Sequence, residues 1–113
     1  MFRQAPWTLN ETAFAQTIAL LDDDGCTPLL VVMPTHPLGI RLIGEDRWAR
    51  SLTPFLDDLR ELRGRYRFSV LDYSRIEYFG GDPNAFYDGE HVKVKNSDLI
   101  FAHAFRAVPQ AFR

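Results

Sequence analysis

The run Leu29-Leu30-Val31-Val32-Met33, bounded by Pro28 and Pro34, restricts what this chain can become more than any other stretch. Its apolarity is continuous instead of alternating, the pattern of a parallel strand covered on both faces. A strand of this kind belongs in the middle of a sheet and not at a half-exposed edge. Thr35-His36-Pro37-Leu38-Gly39 then reads as a loop at the strand's C-terminal end, the end where open α/β sheets place ligands. His36 is therefore a candidate functional residue, with an ordinary surface histidine as the alternative.

The flanking segments read as helices and a second strand. Phe14, Ile18 and Leu21 fall at i, i+4 and i+7 and predict a helix from Asn10 to about Asp23, capped by Thr8 or Asn10 and ended by Gly25. Ahead of it, Met1 to Trp7 contains Pro6 and reads as an arm that packs through Phe2 and Trp7. Asp22-Asp23-Asp24 lies at the helix C-terminus, where the macrodipole disfavours acids, and is better read as a solvated turn than as a metal site.

After the first strand, Trp48, Leu52, Phe55, Leu59 and Leu62 share a face from Glu45 or Asp46 onward. Pro54 interrupts them, so either Thr53 caps a helix that starts there or a longer helix kinks. Arg60 and Arg63 suit its C-terminal end, and Gly64 is expected to supply a left-handed stop. Tyr66 to Tyr73 is the second strand, with Ser69 as a polar gap that puts it nearer a sheet edge. Asn96 to Phe105 is the closing helix, capped by Asn96 or Ser97 and offering Leu99, Ile100, Ala104 and Phe105 for burial.

A helix between two strands is a β-α-β unit, which is right-handed with parallel strands in nearly all cases. Asp72, Tyr73 and Ser74 then emerge on the same side as Thr35 and His36. The order helix, strand, helix, strand, loop, helix is α/β with a small parallel sheet, and 113 residues make one domain, 1-113. Two strands leave edges unsatisfied, so the chain is expected to extend its sheet as a homo-oligomer or with a partner chain that supplies further strands.

Charge and cysteine content narrow the partners. A net charge of -2 with Lys and Arg interleaved among acids gives no basic stripe, which argues against nucleic acid. The lone Cys26 suits a reducing compartment, and no Cys/His cluster has zinc spacing. The apolar runs are too short to span a bilayer, and the N-terminus lacks the order of a signal peptide. The expectation is a soluble, cytoplasmic protein with no membrane contact, no metal and no cofactor.

The chemistry gathers between Phe79 and His91. Gly80, Gly81, Pro83 and Asn84 break regular structure, and Asp88 and His91 follow three positions apart. A carboxylate this near can receive an imidazole N–H, fix the ring tautomer and favour the protonated ring, as a general base in acyl transfer requires. The alternative is a loop in which the carboxylate caps backbone N–H groups and the histidine faces solvent. Ser74 is the best internal nucleophile candidate, although no Gly-x-Ser-x-Gly elbow surrounds it, no pair of oxyanion donors is placed by the sequence, and it is better read as a turn former. Asp82, Glu90 and His91 form a weaker candidate metal set without a further ligand at fixed spacing. Tyr73, Tyr78, Phe79, Phe86 and Tyr87 either line an acyl or sugar pocket or hold a long loop down.

Pro34 after an apolar strand, an acid ending the next strand in Leu71-Asp72-Tyr73-Ser74, and Phe86-Tyr87-Asp88-Gly89-Glu90-His91 leading into a helix together resemble the C-terminal part of the SGNH (GDSL-type) hydrolases. The resemblance covers Leu29 to Phe105. It implies a flavodoxin-like partial domain that belongs to a larger fold, and an esterase or acyl hydrolase in which Asp88 orients His91 and His91 takes the proton from a serine. The family's Gly-Asp-Ser block and its oxyanion glycine and asparagine blocks are absent, and Lys93-Val94-Lys95 stands where the family often opens its last helix with a hydroxyl residue or proline. The serine would then come from another chain. A non-catalytic assembly or interaction module built on the same fold is the alternative function.

Overall fold

The structure is a computed structural model that describes the backbone of residues 5–112 and the side chains of residues 12–112. Its elements in chain order are α1 (Ala5–Asp23), β1 (Leu29–Val32), α2 (Pro37–Ile43), α3 (Glu45–Arg63), β2 (Ser69–Asp72) and α4 (Val94–Ala107), with short 3-10 turns at Ile76–Tyr78 and Pro109–Phe112. It is a mixed α/β arrangement of four helices and a two-stranded parallel sheet. Leu29 pairs with Ser69, Leu30 with Val70, Val31 with Leu71 and Val32 with Asp72.

Successive strand residues point to opposite faces, and each face has its own cover. Leu29, Val31 and Leu71 pack against buried Tyr73, Phe79, Ile100 and Ala104 on the α4 side. Leu30 and Val70 pack against Ile18 of α1, Leu62 of α3 and Phe68 on the other. The continuous apolar run is explained: both parities of side chain meet a helix. The expected central position is not, because all four β1 residues are only half-buried. With two strands in the sheet, β1 is itself an edge.

Several local expectations are corrected. The helical backbone already includes residues 5–10, so Thr8 and Asn10 lie within α1 and do not cap it. The packing of Phe2 and Trp7 falls outside the described residues. Gly25 ends α1 as expected, with φ 76°, while its N–H reaches Asp22 O and that of Cys26 reaches Leu21 O, a pairing that closes the last carbonyls. Asp22 accepts from Arg67 Nε at 3.1 Å, an ion pair beside an exposed turn.

α3 runs through Pro54 as one element, which decides for the longer helix. Gly64 is not left-handed: its φ is -72°, and the helix closes instead through N–H bonds from Gly64 to Glu61 O and from Arg65 and Tyr66 to Leu62 O. The loop expected at Thr35 to Gly39 contains the start of α2. Pro37 sits at the first helical position, where its missing N–H costs nothing, and His36 Nδ1 accepts the Leu38 N–H at 2.9 Å. None of the described helices is long and apolar enough to cross a membrane.

Ile100 is 5% exposed and carries the α4 side of the sheet. Ile100→Ala is expected to lower unfolding stability by about 2–4 kcal/mol, measured by urea denaturation, because it leaves a cavity against Leu29 and Val31. A loss below about 0.5 kcal/mol would mean that α4 does not cover this face.

Candidate acid–base site

Between β2 and α4 the chain crosses the C-terminal end of the sheet, held at a series of fixed points. Asp72 Oδ1 accepts the Ser74 N–H at 2.8 Å, and Ser74 O accepts the Thr35 N–H at 3.1 Å, which joins the two strand ends. Arg75 then pairs with Glu45 at 2.6 Å and lies 4.6 Å from the centre of the Trp48 ring, tying the loop to the first turn of α3. This arrangement holds the Glu45 carboxyl below its usual value, chiefly through the Arg75 hydrogen bond. Gly81 turns the chain tightly over Phe79, since a Cβ there would lie 2.6 Å from the phenyl ring.

Asn96 is the anchor that the sequence reading misassigned. Lys93 stands at the N-cap of α4 and makes no side-chain cap bond, while the Asn96 side chain turns inward and is fully buried. Its Oδ1 accepts the Asp82 N–H at 2.9 Å, and its Nδ2 donates to Asp82 O and Ala85 O at 3.0 Å each. Lys95 Nζ adds a 2.7 Å contact to the Asp82 carboxylate, which this bond and the Asn84 N–H hold below the usual range. A short polar side chain at the start of a helix reads as a cap from sequence. The signal for an anchor would have been the Asp-Pro-Asn turn that Asn96 satisfies.

From that anchor the chain makes a tight antiparallel turn. Lys93 N–H donates to Ala85 O, Phe86 bridges Val92, and Tyr87 N–H donates to His91 O at 2.8 Å. Asp88 and His91 therefore face each other across the turn. Asp88 Oδ1 accepts the N–H groups of Glu90 and His91 at 2.8 Å each, and His91 Nδ1 lies 2.8 Å from Oδ2 and 3.0 Å from Oδ1. One carboxylate both caps the turn and holds the ring, and the ring faces solvent. The Glu90 N–H first, then the His91 ring and its N–H, bring the Asp88 carboxyl down to about 2. With Nδ1 held by Asp88, Nε2 is the ring nitrogen left to exchange a proton.

The turn is docked on the end of β1. His36 N–H donates to Gly89 O at 2.9 Å, and the His36 ring meets buried Phe86 edge-on at 4.9 Å. His36 thus caps α2 and supports the turn. Ser74 is near the same strand ends but is 2% exposed, and the hydrogen bonds of His91 run only to Asp88 and Tyr87. The structure does not bring Ser74 and His91 together as a nucleophile and base. Of the aromatics, Tyr73, Phe79 and Phe86 are buried and hold the loop down, while Tyr78 and Tyr87 are exposed. Tyr73 Oη lies 2.8 Å from His103 Nδ1 of α4, a part-buried partnership that the sequence did not suggest, and burial raises the phenol above its usual value. Among the described residues no group of His, Cys, Asp or Glu is arranged to hold a metal ion, and Asp82 is engaged by Lys95.

The site is open: the side chains of His91 and Asp88 are 73% and 58% exposed. Such an ion pair contributes little to stability, so its significance lies in orientation. No family model, no curated protein and no solved structure matches this chain.

Two predictions follow from this geometry. Asn96→Ala leaves the Asp82 N–H without its partner and takes one of two donors from Asp82 O and from Ala85 O, and is expected to cost about 1–3 kcal/mol by urea denaturation, with loss of amide protection at Asp82. The Asp88 carboxyl, followed by carbon-detected NMR, should titrate near 2 instead of the ordinary 3.8. Because its folded value is depressed, its contribution to holding the turn is complete above about pH 4 and is lost as pH falls toward 2.

Proposed function

We propose that this chain is an SGNH-like, flavodoxin-type partial domain that contributes the acid and base of an acyl-transfer or ester-hydrolysis site, with the serine supplied by another polypeptide. The observation that carries the reading is the 2.8 Å contact between Asp88 Oδ2 and His91 Nδ1, in a turn docked against the end of β1. Asp88, an anion over the whole range above about pH 3, orients the ring and stabilises the imidazolium. His91 takes the proton of the attacking hydroxyl at Nε2 and returns it to the leaving group. The exposure of the pair suits a site that a second surface closes. The exposed Cys26 thiol suits the cytoplasm, and the chain extends its sheet either as a homo-oligomer or with the chain that bears the rest of the fold.

A second reading is a non-catalytic assembly module, favoured by the open edge of β1 and by the burial of Ser74. Hydrolysis of a short p-nitrophenyl ester separates the two. The expected result is little activity from the isolated chain and turnover when it is mixed with the polypeptide encoded immediately upstream. That turnover should fall at least about 10³-fold in His91→Ala and comparably in Asp88→Asn. Turnover that survives His91→Ala, or none with both polypeptides present, contradicts the catalytic reading.

A further inference from the structure

An apolar groove lies along the free side of β1, away from the acid–base turn. Ser69 N–H donates to Pro28 O and Tyr73 N–H to Val32 O, so the even-numbered residues of this stretch turn their backbone toward β2. Leu29, Val31 and Met33 consequently turn theirs outward. Their side chains, with Ile100 and Phe101 of α4 and Phe112, line a groove of about 440 Å³. Met33 is 48% exposed, Phe101 64% and Phe112 40%. A row of outward N–H and C=O groups beside an apolar groove, with no charged residue between Pro28 and Pro34, lacks the usual protection of a sheet edge.

The sequence of the edge indicates what covers it. Pro-Leu-Leu-Val-Val-Met-Pro is nearly the same in either direction about Val31: Pro28 mirrors Pro34, Leu29 mirrors Met33 and Leu30 mirrors Val32. An antiparallel partner of the same sequence, related by a two-fold axis through Val31, sets Val31 opposite Val31 and Leu29 opposite Met33. Every outward N–H then meets an outward C=O. Both prolines fall on the inward parity, so neither leaves a gap in the new ladder. The same rotation brings the two α4 helices together on one face of the enlarged sheet, where Phe101 and Phe112 of each copy cover the groove of the other.

We propose that the outward edge of β1 and its groove are the self-association surface of this protein, forming a two-fold dimer with a continuous four-stranded sheet. The proposal rests on the sheet-extension reading above, of which it selects the second copy, and is independent of the acid–base chemistry. The four exposed side chains Met33, Phe101, Phe105 and Phe112 offer roughly 400 Å² per copy, on the order of half a standard interface side. With the strand backbone added, this suits a reversible dimer that responds to concentration.

Sedimentation velocity from about 1 to about 500 µM, paired with amide exchange, tests it. The expected result is a concentration-dependent dimer in which the N–H groups of Leu29, Val31 and Met33 gain protection together. Met33→Lys and Phe101→Glu change exposed side chains and should each weaken the dimer at least about tenfold while circular dichroism stays native. Leu42→Lys, on exposed α2, should leave the dimer intact. A monomer throughout the range, a dimer indifferent to both edge variants, or an edge protected only by a different polypeptide overturns the proposal. His91→Ala should not change sedimentation, so failure here is distinguishable from failure of the ester assay.

Discussion

The buried amide of Asn96 is the constraint on which the loop end of the molecule depends. In the long crossing between β2 and α4, the short antiparallel pairing of Phe86 with Val92 leaves the Asp82 N–H to be satisfied by a side chain. Asn96 satisfies it from the first turn of α4 and donates to Asp82 O and Ala85 O as well. The amide side chain is fully buried, and losing it would leave the Asp82 N–H without a partner. The segment from Phe86 to Val92 continues from that attachment and is docked at its far end by His36. The placement of the Asp88–His91 turn on the sheet thus depends on α4, which is itself held by the packing of Ile100 and Ala104, and on the bond from the His36 N–H to Gly89 O.

The second organising fact is the smallness of the sheet. Two strands are covered above by α4 and below by α1 and α3, so the faces are settled and the edges are not. The polar and apolar requirements separate cleanly along the strands. Their C-terminal ends join Thr35 to Ser74 and His36 to Gly89 and hold the acid–base turn. The outward side of β1 carries only apolar side chains and unpaired backbone. The proposed completion of the sheet and the proposed completion of the chemistry are therefore different demands, which fall on different surfaces.

Periodicity made the strands, α3 and the C-terminal helix legible in the sequence, because each buries one stripe or two faces that the residue pattern records. The three-residue spacing of Asp88 and His91 was legible for the same reason: a turn of that length brings the side chains together whatever surrounds it. Less visible was α2, where a proline and a glycine suggested a loop although Pro37 fits a first turn and His36 supplies the cap. Asn96 was misread because capping and anchoring call for the same residue type, and only the tertiary position of Asp82 distinguishes them. The half-burial of β1 was hidden for a different reason. Local pattern reports which faces are covered and is silent on how many strands lie alongside. The flavodoxin-like identity and the catalytic role stay with the proposal, carried by the turn geometry.

The central claim is that Asp88 holds the His91 ring with its proton on Nδ1 and its lone pair on Nε2. Long-range proton–nitrogen NMR on uniformly labelled protein reads this directly at a pH where the ring is neutral. The account requires the Nδ1–H form for His91 in the wild type and a mixture shifted toward Nε2–H in Asp88→Ala. A wild-type ring already in the Nε2–H form, unchanged by loss of the carboxylate, would contradict it.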